Sequence, residues 1–120
     1  MPPARVLIYM EADMTVPLLA WLDSQPAKVQ HKVLARVERL SEVGYEMRRP
    51  EGDYLEDGIY ELRIRYRREN YRVLYFFYEG RAVLSHGVKK GKRIPGRALD
   101  LARRHLERFR IDPELHTYRE

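Results

Sequence analysis

The sequence predicts an α+β fold: an antiparallel sheet with helices on one face, in the order β-α-α-β-β-β-α. Three observations carry this expectation. Residues 59–66 alternate in period two, with Tyr60, Leu62, Ile64 and Tyr66 on one side and Glu61, Arg63 and Arg65 on the other, the mark of a strand with one buried face. Two further strand-like runs, 71–78 and 81–88, follow at turn signals, a polar stretch at 67–70 and Glu79-Gly80. Glycine tolerates the positive φ that a two-residue hairpin turn needs. Segments with apolar residues at helical spacing flank this meander on both sides.

Taken in order, Arg5 to Met10 (RVLIYM) is a short apolar run that reads as a first strand able to join the sheet. Thr15 is placed to cap a helix over 16–23, with Pro17 in its first turn and Leu18, Leu19, Trp21 and Leu22 as core. A second helix is expected over 26–43, with Val29, Val33, Val37 and Leu40 on one stripe and Gly44 at its end. His31 falls off that stripe and reads as a solvated residue. Residues 45–57 read as loop, broken by Pro50 and Gly52. A last helix runs from about 95 to 108, with Leu99, Ala102, Leu106 and Phe109 on its apolar side. The chain thus divides into one domain, 1–110, and a loosely held C-terminal tail, 111–120.

The turns also fix a register. A two-residue loop at Glu79-Gly80 pairs Tyr78 with Arg81, Phe77 with Ala82, Tyr75 with Leu84 and Val73 with His86. A longer first loop pairs Tyr66 with Tyr71, Ile64 with Val73, Leu62 with Tyr75 and Arg65 with Arg72. Opposed residues share a face. One face then holds Tyr60, Leu62, Ile64, Val73, Tyr75, Phe77, Ala82, Leu84 and Val88, and should lie under the helices. The other holds Glu61, Arg63, Arg65, Arg72, Leu74, Phe76, Tyr78, Val83 and Ser85: an apolar floor with an arginine cluster at one end.

The charge of the chain is unevenly spread. Residues 1–60 carry 7 Lys/Arg and 10 Asp/Glu, whereas residues 61–110 carry 15 and 5. A basic half on an acidic half is the electrostatic footprint of a nucleic-acid partner; a solvated surface that keeps the protein dispersed is the competing explanation. There is no cysteine among the 120 residues, which removes disulfides, thiolate metal sites and thiol nucleophiles. No apolar run reaches membrane-span length and no signal-peptide pattern opens the chain, so a cytoplasmic protein without membrane contact is expected. The sequence has no phosphate-binding glycine loop, GxSxG elbow, HExxH or RNP1 pattern. His31, His86, His105 and His116 are scattered, and neither a metal site nor a cofactor is expected.

The blocks GIYELRIR, NYRVLYFF and LSHGVKKGKRIPGRALDLARRHL resemble the RelE/HigB superfamily of type II toxin–antitoxin toxins, most of all its phage-derived HigB-like branch. The resemblance covers about residues 55–110. It implies a RelE-like toxin fold and a ribosome-dependent mRNA endoribonuclease, an mRNA interferase that inhibits translation without a metal. It implies a cognate antitoxin, a helix-turn-helix DNA-binding protein, with the ribosome and mRNA as further partners and DNA reached only through the antitoxin. Matched residue by residue, it assigns Arg63 to a basic strand position, Arg72 to the arginine of the "YR" block, and Lys89 and Lys90 to the basic turn. Glu61 stands where RelE itself has lysine, and Ile94-Pro95 lies near the place of a base-stacking tyrosine.

The chemistry points to the same residues. Cleavage of RNA by its own 2′-hydroxyl needs a base, an acid for the departing 5′-oxygen, and positive charge on the phosphorane. Arginine binds phosphate with a planar fork, which suits Arg63 and Arg72. Lys89 and Lys90 are candidates for proton transfer. His86 titrates naturally near neutrality, but the register puts it on the apolar face, so a core role and a catalytic role both stand. Arg65, Lys92, Arg93 and Arg97 are candidate RNA contacts, against a plain exposed loop and helix start. Two other functions compete: a toxin of the same fold with a non-RNA target such as gyrase, and a non-catalytic RNA-binding regulatory module.

Overall fold

A computed structural model describes residues 4–119. They form β1 (Val6–Ile8), α1 (Pro17–Asp23), α2 (Ala27–Val43), β2 (Gly52–Glu56), β3 (Ile59–Tyr66), β4 (Glu69–Tyr78), β5 (Arg81–Lys90) and α3 (Gly96–Ile111), with a 3₁₀ turn at Gly44–Glu46. The strands make one sheet in the order β1-β5-β4-β3-β2. β1 runs parallel to β5, and the other pairs are antiparallel. The class is α+β, as expected, but the order holds one more strand: β2 lies in the segment read as loop. Its signal is the Asp57-Gly58 pair between YLE and IYE, a two-residue hairpin turn with φ of 51° and 81°.

The helices form where the apolar spacing placed them. Pro17 opens α1, because its fixed φ suits a first turn. The Thr15 side chain does not cap that helix, and the Thr15 backbone N–H donates to Asp13 Oδ1 at 2.9 Å. Along α2, Val29, Val33 and Leu40 are buried, and Gly44 ends the helix at φ 54°. Both helices pack on Leu62, Ile64, Val73, Tyr75 and Leu84. Trp21 of α1 lies so close over Gly87 that a side chain there would meet its ring.

α3 corrects the expectation of helices on one face. Its Ala98, Ala102 and Phe109 pack against Ile59, Leu74, Phe76 and Val83 on the opposite face. The reason is energetic: Ile59, Leu74, Phe76 and Val83 each give about 1.5–3 kcal/mol when buried, so the apolar floor needs its own cover. The last segment is also held rather than loose. Tyr9 bridges to Thr117, and the Tyr118 N–H donates to the Ile8 carbonyl at 2.8 Å. Residue 120 lies outside the described residues.

Two details of register differ from the sequence reading. The β3–β4 turn is only Arg67-Arg68, so Tyr66 pairs with Glu69 and Arg63, not Arg65, faces Arg72. A slide of two residues preserves the faces. The β4–β5 pairs Tyr78–Arg81, Phe77–Ala82 and Tyr75–Leu84 are as expected, but a β-bulge then sets His86 opposite Leu74 and Gly87 opposite Val73. The extra residue moves His86, Val88 and Lys90 to the α3 face and Lys89 to the face of α1 and α2.

Candidate active site

Beyond the start of α3, the sheet face it covers ends in charge. Arg63 and Arg72 stand directly opposite each other on β3 and β4, a pairing that repels on its own. Glu61, two residues before Arg63, relieves it. Its Oε1 accepts from Arg72 Nε at 2.9 Å and its Oε2 from Arg63 Nη1 at 2.9 Å. The Arg72 and Glu61 side chains are 4% and 3% exposed, and that of Arg63 is 28% exposed. Arg72 Nη1 also donates to the Tyr71 carbonyl at 3.0 Å. Burial pushes the Arg72 guanidinium down from its usual value, and the Glu61 carboxylate opposes that; arginine stays charged throughout. The result is a fixed ion triad whose outer member reaches the surface.

Glu61 and Arg63 line an open cleft of about 560 Å³, together with Arg49, Asp53, Leu55 and Glu56 from around β2 and Lys90, Lys92, Arg93 and Ile94 from the end of β5 and the segment after it. β2 supplies Asp53 because it pairs with β3, with Asp53 opposite Glu61. Arg49 Nε donates to Asp53 Oδ2 at 2.7 Å, and this guanidinium holds the Asp53 carboxyl below the usual carboxylate range. Lys90 Nζ donates only to the carbonyls of Gly91 and Lys92, at 3.3 and 3.1 Å, so no carboxylate neutralises it among the described residues. The cleft therefore keeps an excess of positive charge that can bind and polarise a phosphate.

The structure brings Arg63, Lys90, Lys92 and Arg93 together, with Arg72 buried beneath them. Arg65 lies one row further along the sheet, exposed, with Nη1 3.4 Å from Asn70 Oδ1. Arg97 is exposed at the start of α3. Lys89 does not join the cluster: on the other face it pairs with Glu69 at 3.5 Å and lies 6.0 Å from the Tyr71 ring centroid. His86 is also apart, packed beneath α3. Its Nδ1 is 2.9 Å from Ser85 Oγ, which is 2.7 Å from His105 Nδ1. Tyr9 stacks on His105 at 3.9 Å. Sequence reasoning missed Asp53, which the Asp57-Gly58 turn signal would have placed on the edge strand β2, and Arg49, which lies in the turn before that strand and joins the site through Asp53. It noted Glu61 only as a departure, since the diagonal contact to Arg72 depends on register.

Two predictions follow from these buried groups. Arg72→Ala leaves the Glu61 carboxylate buried and half-paired, so it should cost about 3–5 kcal/mol in denaturant unfolding. Glu61→Leu/Arg72→Met should recover most of that loss; an Arg72→Ala protein as stable as wild type contradicts the triad. Burial lowers the pKa of His86 to about 4, and lowers that of His105 to about 3 with help from the His86 charge. The unfolded chain takes up these protons more readily, near the ordinary 6.5. Stability from both groups is therefore complete above about pH 6.5 and is lost as pH falls through the folded values, by about 1.4 kcal/mol per pKa unit. Unfolding midpoints measured from pH 7 to 4 should fall, and a flat profile contradicts the burial.

No curated protein matches the chain. The family model described as "Phage derived protein Gp49-like (DUF891)" matches residues 20–107, a span that runs from α1 through most of α3 and holds every cleft residue named above. The chain belongs to this phage-derived Gp49-like family, which is associated with toxin–antitoxin systems.

Proposed function

We propose that the protein is the toxin of a type II toxin–antitoxin pair, of RelE/HigB kind: an endoribonuclease that cuts mRNA on the ribosome and is held inactive by a cognate antitoxin. The observation that carries this reading is the Glu61–Arg63–Arg72 triad, whose Glu61 and Arg63 line a cleft rimmed by Lys90, Lys92 and Arg93. The association of the Gp49-like family with toxin–antitoxin systems supports it. RNA carries its own nucleophile in the 2′-hydroxyl, so the protein needs to orient the phosphate and stabilise the charge that builds on it.

In this reading Arg63 contacts the reacting phosphate with the nitrogens that Glu61 leaves free. Lys90, without a carboxylate partner, adds charge at the departing oxygen and is the nearest candidate for proton transfer. Arg72 and Glu61 are positioning residues, since both are nearly inaccessible. Lys92 and Arg93 bind the flanking backbone. His86, neutral and packed under α3, takes no part in the cleft chemistry. The positive excess of the cleft favours an RNA substrate over a protein target such as gyrase.

Arg63→Ala separates an enzyme from a binding module. Primer extension on translating ribosomes should show cleavage reduced by about a hundred- to a thousandfold. Ribosome co-sedimentation should fall only modestly, with the salt slope of binding lower by about one. Cleavage by Arg63→Ala at the wild-type rate rules out that role. Wild-type protein that binds ribosomes and cuts nothing leaves the binding module as the function.

A further inference from the structure

Three turns of the sheet are built alike. Asp57-Gly58, Arg67-Arg68 and Glu79-Gly80 each join two antiparallel strands through two residues, with φ of 51° and 81°, 50° and 66°, and 48° and 79°. This is the type I′ hairpin turn, in which both central residues are left-handed. Two of the three turns put glycine in the second place, where the absence of Cβ removes the clash with the carbonyl. The β3–β4 turn puts arginine in both. A strained backbone that a more favourable residue would relax points to a use for the side chains it carries.

The surroundings of the turn leave those side chains available. Arg67 and Arg68 are exposed, and neither makes an ion pair among the described residues. The Arg67 guanidinium lies 5.3 Å from the Tyr66 ring centroid, which steadies it without neutralising it. The adjacent carboxylate, Glu69, is engaged by Lys89 at 3.5 Å. Arg63 and Arg65 alternate along β3, and Arg67-Arg68 form the turn just beyond its end at Tyr66, so basic residues continue from the cleft to the hairpin tip.

We propose that the Arg67-Arg68 turn is a second RNA contact, a clamp on the phosphate backbone beside the segment held in the cleft. This rests on the reading of the cleft as an RNA site. The chemistry recognised is the phosphodiester: each guanidinium offers a planar fork of donors to two phosphate oxygens. The left-handed turn projects two such forks from the tip, which a relaxed Asn-Gly turn cannot supply.

Two variants test the clamp, with binding to a short labelled single-stranded RNA measured against salt. Arg67→Asn/Arg68→Gly installs the preferred residues of this turn and should melt no lower than wild type. Its salt slope should be shallower by about 1.4, the value for two phosphate contacts on a single strand. Arg67→Lys/Arg68→Lys keeps the charges and should keep the slope. A wild-type slope in the Asn-Gly variant, or an equal loss in the Lys-Lys variant, overturns the clamp. Cleavage of ribosome-bound mRNA is scored alongside. Binding that weakens in the Asn-Gly variant while the wild type cuts nothing refutes the nuclease and leaves the clamp standing. Cutting by a wild type whose slope the Asn-Gly variant shares refutes the clamp alone.

Discussion

The buried carboxylate of Glu61 is the constraint on which the site depends. Arg63 and Arg72 face each other across β3 and β4, and two opposed guanidiniums at a half-covered sheet end would push apart without a charge between them. Glu61 supplies it, one oxygen to each at 2.9 Å. A buried ion pair of this kind is weak evidence for stability, because desolvation offsets most of the attraction. Its use is geometric: Arg72 is locked inside, and Arg63 is held at the surface with donors to spare. The proposed phosphate contact is thus oriented before substrate arrives, which is what electrostatic preorganisation requires.

The bulge in β5 is the second constraint. It adds one residue opposite Leu74 and Tyr75 and so decides which of two adjacent lysines reaches the cleft. Without it Lys89 would lie on the same side of the sheet as Arg63 and Arg72; with it Lys90 does. The same shift delivers His86 to the underside of α3, where burial keeps it neutral, and places Gly87 beneath Trp21. One inserted residue therefore couples the packing of both sheet faces to the composition of the cleft.

Much of the fold was legible because period-two alternation and X-Gly turns report directly on local backbone. The three meander strands and the faces of Leu62 and Arg63 follow from those signals, and the helical spacing of apolar residues over 16–23 and 26–43 locates the helices found at Pro17–Asp23 and Ala27–Val43. What escaped depended on partners distant in sequence. β2 is polar and short, as an edge strand paired on one side is permitted to be, and only its Asp57-Gly58 turn betrays it. The bulge leaves no mark in β5 itself, because Ser85 and His86 share a face only through contacts with α3. The burial of Arg72 was equally hidden: an arginine on the polar side of a strand reads as exposed until its diagonal neighbour proves to be a carboxylate.

The central claim is that this cleft serves cleavage of RNA by the RNA's own 2′-hydroxyl. Its most direct test is an mRNA on programmed ribosomes with a single 2′-deoxynucleotide at the position the wild-type protein cuts. The account predicts that the all-ribose message is cut to a 2′,3′-cyclic phosphate and a 5′-hydroxyl, and that the deoxy message is bound as well but left whole. Cutting of the deoxy message at the same position would contradict it.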